Sequence, residues 1–262
     1  MPNFCTLFSG SSGNCTFVSD GKTNILIDAG VSASRILTSL GQIGITPYDI
    51  DAILITHEHR DHVSSVGILS RNYSIPVYAN LATIEKTVAI TGWIFDDYIH
   101  TFKSNDKFCV GDIEIFPFSI PHDAIDPVGY TFRFGGKYYS IATDIGCVTE
   151  SMLKHLCRSE SVLIESNHDV NMLQKGPYPP QLKMRIISDK GHLSNGTCAS
   201  ELSSLIKSGT TMIVLGHLSK NNNLPQIAYS TARSVLLKDG FIENQDYILY
   251  VAPPENAKLI SL

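Results

Sequence analysis

Long apolar runs, paired cysteines and an excess of basic charge are all absent from this sequence of 262 residues. No apolar run approaches the roughly 20 residues that a membrane-spanning helix needs, and the first residues lack the basic and apolar regions of a signal peptide. The six cysteines form no CxxC pair, which disfavours a disulfide framework or a zinc ribbon and fits reduced thiols. The formal net charge of -5 argues against a generally basic coat for nucleic acid, although a local basic groove stays possible. We therefore expect a soluble, cytoplasmic protein with no membrane segment.

The composition and the spacing of apolar runs predict one domain of the α/β class. With 43% hydrophobic and 17% charged residues, the chain can bury a full core. Short apolar runs recur, each followed by Gly, Asp, Asn or Pro, with amphipathic stretches between some of them. No linker rich in Pro, Gly or Ser divides residues 1–262, so we interpret them as a single domain. The stretches predicted to hold strands are TNILIDAG, DAILITH, IPVYAN, IEIFPFSIPH, GYTFRFGGKYYSIATDIG, SVLIESNH and TMIVLGH, and helices are predicted in NGTCASELSSLIKSG and LPQIAYSTARSVLLKDG.

The stretch ITHEHRDHVSS places three histidines and two acids in the six positions from His57 to His62. Side chains at i and i+2 of an extended segment point the same way, so His57 and His59 can hold one ion. Asp61 and His62 then begin the next turn, offset toward a second ion. A lone His-x-His pair is weak evidence because surface histidines are common. Five coordinating residues directly after a strand predict metal binding rather than a solvated polar loop.

Further candidate ligands stand at the ends of other predicted strands. His122 follows IEIFPFSIP, Asp144 follows YYSIAT and His217 follows TMIVLG. Taken singly, His122 has an alternative interpretation as a loop residue and Asp144 as a helix N-cap. Together with the first cluster they predict a convergent site, in which a carboxylate such as Asp144 bridges two cations. Asp28, which ends NILID, is either a turn acid or the carboxylate that orients a ligand histidine or the bound water.

This order of residues, a strand-end Asp, then HxHxDH, then separated His, Asp and His, resembles the metallo-β-lactamase superfamily. The resemblance covers nearly the whole chain. It implies a four-layer αβ/βα sandwich of two mixed β-sheets flanked by helices, with a dinuclear metal site at one edge. The full HxHxDH pattern differs from the antibiotic-hydrolysing lactamases and from the HxExD pattern of flavodiiron proteins, which disfavours a redox role. The implied ligand sets are His57, His59 and His122 for one metal and Asp61, His62 and His217 for the other, with Asp144 bridging.

Two divalent ions can generate a hydroxide at neutral pH and stabilise the attacking and leaving oxygens of an in-line displacement. His and Asp sites accept Zn, Mn or Fe, and the chemistry serves phosphodiesters, thioesters and lactones alike. His192, just before a predicted helix, is either a solvated loop residue or, near the metals, a donor to a leaving alkoxide or a phosphate oxygen. In phosphodiesterase members of the superfamily such as ribonuclease Z, a non-ligand histidine lies between the bridging Asp and the last ligand His, as His192 does here.

Four longer strings resemble the YycJ/WalJ group of bacterial proteins within the superfamily: GSSGNC, ESNHD, YPPQLKMRIISDKGHLSN and HLSKNNNLP. This resemblance implies a metal-dependent nuclease with 5′ to 3′ exonuclease action on DNA, using a metal-bridging hydroxide, and a part in DNA mismatch repair. The implied catalytic residues are Asp61, His192 and Asp28. Only 72 residues, positions 145 to 216, separate Asp144 from His217, so the large insertion carried there by the β-CASP nucleases is missing.

The same strings supply candidate contacts to a nucleic-acid substrate, with DNA ends as the predicted partner. The loop from Gly10 to Asn14 forms either an ordinary tight turn or a set of backbone amides facing a phosphate. His168 either orients substrate or caps a turn. His100 and His155 belong to no motif, and we interpret them as surface residues. The predicted substrate-binding residues are Ser12, Asn14, His168, Ser194 and Lys220.

Two other functions stay open. A small-molecule metallo-hydrolase for a cyclic phosphodiester, thioester or lactone is supported by the acidic balance and by the absence of an appended nucleic-acid-binding domain. A non-catalytic, metal-stabilised binding module is less favoured, because structural zinc sites are usually closed sites of four ligands. The sequence leaves the oligomeric state open.

Overall fold

The computed structural model describes the backbone of residues 3–261 and the side chains of residues 4–255, and residues 1, 2 and 262 of the predicted domain lie outside it. The strands of the first sheet are β1 (Asn3–Phe8), β2 (Cys15–Ser19), β3 (Asn24–Ile27), β4 (Ala52–Leu54), β5 (Val77–Asn80), β6 (Ile99–Phe102) and β14 (Glu255–Ser261). Those of the second sheet are β7 (Phe108–Val110), β8 (Ile113–Ser119), β9 (Val128–Phe134), β10 (Lys137–Ala142), β11 (Ser161–Glu165), β12 (Met212–Gly216) and β13 (Ile248–Val251). The helices are α1 (Ala33–Gln42), α2 (Arg60–Val63), α3 (Val66–Tyr73), α4 (Leu81–Thr91), α5 (Glu150–Cys157), α6 (Val170–Lys175), α7 (Pro180–Ile186), α8 (Asn195–Lys207) and α9 (Pro225–Lys238), with 3₁₀ turns at Pro47–Asp49 and Asp96–Tyr98.

Both sheets are mixed, and each has a parallel half. The first sheet has the order β14-β1-β2-β3-β4-β5-β6, antiparallel as far as β3 and parallel from β3 to β6. The second has the order β13-β12-β11-β10-β9-β8-β7, parallel from β13 to β10 and antiparallel from β10 to β7. Parallel strands end at the same edge of a sheet, which is where ligands bind in α/β proteins. The residues after β3, β4, β10, β11 and β12 are therefore brought to such edges.

Alternating side chains give both sheets two buried faces. In β3, Ile25 packs between the sheets and Leu26 packs against helices. In β12, Val214 faces the other sheet and Leu215 faces helices. Successive side chains of a strand point to opposite faces, so a strand covered on both sides is apolar at nearly every position.

Helices cover the outer face of each sheet and complete four layers. Ile36 of α1, Leu69 of α3 and Ile84 of α4 pack on the first sheet. Leu156 of α5 and Leu202 of α8 pack on the second, together with α9. Full burial of one such side chain contributes about 1.5–3 kcal/mol. The predicted αβ/βα sandwich is confirmed.

Two smaller features concern the helices. Among the described residues, no helix has both the length and the apolar character to cross a membrane. His155, expected at the surface, is half-buried, and its ring stacks on Phe118 with the ring centroids 4.6 Å apart. His155 lies in α5, which packs on β8, so the stacking follows from the layer order.

Candidate metal centre and adjoining cavity

The histidine-rich segment leaves the sheet after β4 and turns into α2. His59 is the N-cap of α2, with extended backbone, and Asp61 and His62 lie in the first turn of that helix. The change from extended to helical backbone brings the rings of His57 and His62 together, with their centroids 4.0 Å apart. The turn packs closely on Gly30, where an added Cβ would lie 1.6 Å from the carbonyl oxygen of Asp61.

Three histidines form a first cluster, in which nitrogens of His57, His59 and His122 lie within 4.8 Å of one another. His122 Nε2 is 3.3 Å from His59 Nδ1. The other nitrogens of His57 and His122 are engaged: His57 Nδ1 is 3.0 Å from Thr56 Oγ1, and His122 Nδ1 donates to Gly191 O at 3.2 Å. Both rings therefore present Nε2 to the cluster. Among the described residues, the buried Nε2 of His57 has no hydrogen-bond partner.

A second cluster consists of Asp61, His62 and His217, whose ligand atoms also lie within 4.8 Å of one another. His62 Nδ1 donates to Asp28 Oδ2 at 2.7 Å, and His217 Nδ1 donates to Glu165 Oε1 at 2.7 Å. These carboxylates fix the tautomers, because a ring that donates from Nδ1 leaves Nε2 free for a ligand. The buried Nε2 of His217 has no hydrogen-bond partner among the described residues.

Asp144 lies between the two clusters. Its Oδ1 is 3.8 Å from His122 Nε2 and 3.6 Å from His217 Nε2, while its Oδ2 is 3.1 Å from His62 Nε2. Burial alone would raise the pKa of Asp144, but the facing His217 and His62 hold it well below its usual value. Asp144 has the position of a bridging carboxylate.

The donor set fits divalent metal ions. Buried polar atoms in native proteins almost always have partners, and here two imidazole nitrogens converge with none from the described chain. Burial and the neighbouring His62 hold the pKa of His57 well below its usual value, which favours the neutral ring that a metal ligand needs. Asp144 raises the pKa values of His62 and His217 against the effect of burial, so metal binding there would displace protons. Neutral imidazoles and carboxylates are donors that Zn, Mn and Fe accept.

Asp28 contacts the centre only through His62. Its Oδ1 accepts from the backbone amide of Thr56 at 2.8 Å, and its Oδ2 accepts from Thr56 Oγ1 at 2.8 Å in addition to His62. The geometry agrees with the interpretation of Asp28 as the carboxylate that orients a ligand histidine. A direct catalytic contact is not available to it, because both oxygens are taken up by the protein.

Glu165, which is not among the site residues predicted from the sequence, supports the other side of the centre. It ends β11 and pairs in register with Gly216, beside His217. Its Oε1 accepts from His217 Nδ1 and from His192 Nδ1, the latter at 2.8 Å, and its Oε2 accepts from the amide of Ile145 at 2.7 Å. Burial would raise the pKa of Glu165, but His192 and His217 lower it to about 2. In the sequence Glu165 lies in the predicted strand stretch SVLIESNH, but nothing local shows that it pairs beside His217.

His192 stands at the rim of the centre, with 20% of its side chain exposed and Nδ1 3.7 Å from Asp144 Oδ1. Burial would lower the pKa of His192, but Glu165 raises it to about 9 through its charge and hydrogen bond. Because Nδ1 is engaged with Glu165, Nε2 is the nitrogen available to a substrate.

The loop at residues 10–14 is braced on the metal centre. The amide of Gly10 donates to Asn14 Oδ1, and the amide of Gly13 donates to Gly10 O. The amide of Asn14 donates to Asp61 O. These three amides are therefore not free for a phosphate, and the tight-turn interpretation fits them. Asn14 Nδ2 lies 3.0 Å from His62 Nε2, at the edge of the second cluster. Ser12 is exposed at the tip of the loop.

His168 and Ser194 lie together on a cavity of about 320 Å³ next to His192. His168 is 2% exposed, and its ring makes no hydrogen bond with the described residues. Ser194 caps α8 by accepting from the amide of Thr197 at 3.1 Å. Lys220 is exposed and does not line this cavity. The five predicted substrate-binding residues are thus divided between the edge of the second cluster, this cavity and the surface.

Two of the basic side chains before His192, Lys183 and Arg185, contact other parts of the protein. Lys183 Nζ donates to Gln174 O at 2.7 Å and to Gly176 O at 2.8 Å. Arg185 forms an ion pair with Asp123, whose other oxygen is 3.4 Å from His122 Nε2. The Asp123 carboxylate balances the charge of Arg185, whereas Lys183 donates to carbonyl oxygens, keeps its positive charge and lines the cavity beside His192.

Comparisons with known proteins agree with this geometry. The family model of the metallo-beta-lactamase superfamily matches residues 9–217. Exodeoxyribonuclease WalJ of Streptococcus pneumoniae is 38% identical over 256 residues, covering 97% of this chain and 95% of that protein. Exodeoxyribonuclease YycJ of Bacillus anthracis is 35% identical over 253 residues, covering 97% of this chain and 96% of that protein. The solved structure of YhfI from Bacillus subtilis, a metallo-beta-lactamase fold protein, matches with a TM-score of 0.73 at 14% identity, covering 99% of this chain and all of that one, which shows the fold alone.

Proposed function

The chain belongs to the metallo-beta-lactamase superfamily, and from this premise we propose that it is an exodeoxyribonuclease that uses two divalent metal ions. The chain is a metal-dependent hydrolase. DNA as the substrate is supported by the likeness to WalJ and YycJ over nearly the full length of all three chains. The observation that carries the two-metal proposal is the convergence of two three-residue clusters on either side of Asp144.

Each cluster would hold one ion, with His57, His59 and His122 around the first and Asp61, His62 and His217 around the second. Asp144, which lies near ligands of both clusters, would help to hold both ions. When bound, such a pair of ions supplies an activated water and stabilises charge on the attacking and leaving oxygens of a phosphodiester. Zn, Mn and Fe all suit these donors.

His192 is the proposed proton donor to the leaving oxygen. Glu165 accepts from Nδ1, which fixes the ring and favours its protonated form, so Nε2–H is directed away from Glu165 toward the substrate. As the P–O bond breaks, this proton passes to the leaving oxygen, and solvent restores it because the ring is 20% exposed. Glu165 also orients His217, so one carboxylate positions both a metal ligand and the proton donor.

The resemblance to the WalJ/YycJ group also supports a 5′ to 3′ direction, action on DNA ends and a part in DNA repair, all of which we include in the proposal. We further propose a single domain over residues 1–262.

The test is degradation of one DNA duplex, labelled at either the 5′ or the 3′ end, by purified protein with Mn or Zn. We expect mononucleotides to be released first from the 5′ end, and Asp61→Ala to abolish release through metal loss. Turnover of a thioester or lactone, with neither DNA nor RNA cleaved, would instead identify a small-molecule hydrolase.

A further inference from the structure

The metal ligands lie in a recess, and α7 forms part of its rim. His57, Asp144 and His217 are each at most 2% exposed, so a phosphodiester has to enter the protein to reach them. The chain that follows α7 packs on the first cluster, where His122 Nδ1 donates to Gly191 O at 3.2 Å. The position of α7 at the opening is therefore fixed by a contact with a ligand.

An ion pair joins α7 to the segment on the other side of the first cluster. Arg185 Nε lies 2.5 Å from Asp123 Oδ2, and Asp123 directly follows the ligand His122. The same segment is held again where the amide of Ile125 donates to Glu58 Oε1 at 2.9 Å. A DNA duplex, whose major groove alone is about 12 Å wide, cannot pass between segments that touch each other. The opening therefore suits a single strand.

Exposed apolar side chains surround this opening. Met184 and Ile187 of the α7 segment are 70% and 62% exposed, and Ile125 of the facing segment is 49% exposed. Ile187 also lines the cavity beside His192. At about 100° per residue, Met184 lies on the helix surface between Ile187 and Arg185, at the boundary between the cavity and the ion pair. A group of exposed apolar side chains marks a site of interaction rather than a solvated surface.

The charge of the α7 segment favours DNA as the molecule that covers these side chains. Residues 183–190 (KMRIISDK) contain three cations and one acid, in a chain whose formal net charge is -5. A local excess of cations attracts a polyanion. Proteins that open a duplex combine basic side chains, which contact phosphates, with exposed apolar side chains that enter between bases. The α7 segment has both kinds of side chain beside the metal centre.

We propose that Met184, supported by Ile187, separates the terminal base pair of a DNA duplex. The apolar side chains pack against the last pair and take the place of its stacking, so that one strand enters the recess while its complement stays outside. This inference rests on the proposed exonuclease function. It explains how a buried centre with a narrow opening acts on double-stranded ends.

The experiment compares single-turnover rates on two duplexes of the same labelled strand, one paired to its end and one with its first three nucleotides mismatched. Met184→Ser is expected to lower the rate on the paired end at least about tenfold and on the unpaired end less than about threefold. The loss should be larger for a terminal G·C pair than for A·T. Because Met184 is 70% exposed, the substitution should leave folding unchanged. Met184→Leu keeps an apolar side chain and should restore most of the paired-end rate.

The matched control is Leu237→Ser, which removes an apolar side chain that is 59% exposed at the end of α9. That helix leads to β13, which runs parallel to β12 and begins at the edge of the sheet opposite the centre. Leu237→Ser should therefore keep the wild-type rates on both duplexes.

Equal losses on paired and unpaired ends, or no loss on either, would overturn the role of Met184 while leaving the exonuclease in place. Wild-type protein that degrades only unpaired ends would overturn it as well. If no DNA is degraded, the proposed function fails, and the fluorescence of a terminal 2-aminopurine then measures opening of the end without cleavage. A rise in fluorescence with the wild type that Met184→Ser abolishes would support strand separation. An unchanged signal with the wild type would reject it.

Discussion

At the scale of single residues, proton acceptors behind the ligands decide which nitrogen each histidine presents. His57 donates to Thr56, His62 to Asp28 and His217 to Glu165. Thr56 Oγ1 in turn donates to Asp28, so the hydrogen bonds of His57 and His62 form one chain, whereas that of His217 to Glu165 is separate. Removing an acceptor should therefore weaken metal binding without removing a ligand.

Asp28→Asn is expected to weaken metal affinity by about 10–100-fold, the usual effect of losing a partner behind a ligand. An amide has only one accepting oxygen, whereas Asp28 accepts from both the amide and the hydroxyl of Thr56 as well as from His62. Competition against a chelating dye measures the affinity. Asp106→Asn, an exposed site, is the control. Unchanged metal affinity in Asp28→Asn would show that the position of His62 does not depend on the Asp28 carboxylate.

His192→Ala and Asp61→Ala should separate chemistry from metal retention. His192→Ala is expected to keep the wild-type metal content and to lower DNA turnover by about 10²–10⁴-fold, the usual contribution of a general acid. Asp61→Ala should lose both metal and turnover. Elemental analysis of the purified proteins and single-turnover rates measure the two effects. The role assigned to His192 is wrong if its alanine variant turns over DNA at the wild-type rate.

His155 should make stability depend on pH away from the metal centre. Burial, with a contribution from Arg158, lowers the pKa of His155 to about 4, against about 6.5 in an unfolded chain. Between these values the unfolded chain binds more protons, so this stabilisation is full above pH 6.5 and declines as the pH falls toward 4. His155→Phe keeps the stacking on Phe118 and removes the titration. With metal at saturation, lowering the pH from 7 to 5 should lower the melting temperature of His155→Phe less than that of the wild type. Equal decreases in the two proteins would contradict this prediction.

At the scale of elements, the centre depends on chain segments that bend sharply at strand ends. Asp28, Asp144 and His217 follow β3, β10 and β12, and have positive φ values of 62°, 58° and 54°. Residues other than glycine rarely adopt this conformation, which costs about 1–3 kcal/mol, and three of the six found among the described residues lie at the centre. Asp28, Asp144 and His217 therefore share one backbone conformation, and each of them either belongs to the centre or supports it.

The close packing of the α2 turn on the end of β3 predicts a large effect of Gly30→Ala. The new Cβ would lie 1.6 Å from the Asp61 carbonyl oxygen, so the turn that holds Asp61 must move. We expect a loss of about 1–3 kcal/mol in the free energy of unfolding, together with weaker metal binding. Gly41→Ala in α1 is the control, because its Cβ meets no atom within 4 Å and alanine favours a helix by about 1 kcal/mol. Equal denaturant midpoints for Gly30→Ala and the wild type would contradict the close contact.

The sequence predicts apolar strands that end in coordinating residues more readily than other strands: β2 is buried at all five positions but is absent from the predicted strands. The buried parallel strands are apolar runs that end in coordinating residues, so both the strands and the order of the candidate ligands are predictable. β6, with the sequence IHTF, forms the edge of the first sheet and is largely exposed, so it lacks an apolar pattern. Glu165 escapes prediction because its importance comes from pairing beside His217, and register between distant strands is not written in local sequence.

At the scale of the whole molecule, the candidate metal ligands come from both halves of the sandwich. His57, His59, Asp61 and His62 follow β4 of the first sheet, whereas His122, Asp144 and His217 follow β8, β10 and β12 of the second. Each proposed ion therefore has ligands from both sheets. Bound metal ions should therefore link the edge of the first sheet to the edge of the second.

Metal removal should consequently destabilise the entire fold rather than one loop. A ligand at 100 times its dissociation constant adds about 2.7 kcal/mol to the free energy of unfolding. At roughly 2–4 °C per kcal/mol for a chain of this size, chelation should lower the melting temperature by about 5–11 °C. Calorimetry of metal-loaded and chelator-treated protein measures the shift, and Asp61→Ala should show a much smaller one. Hydrogen exchange tests the mechanism: because both sheets supply ligands, metal should slow exchange both at residues 55–63 and at residues 212–222. Protection confined to residues 55–63 would mean that the ions are held by the first sheet alone.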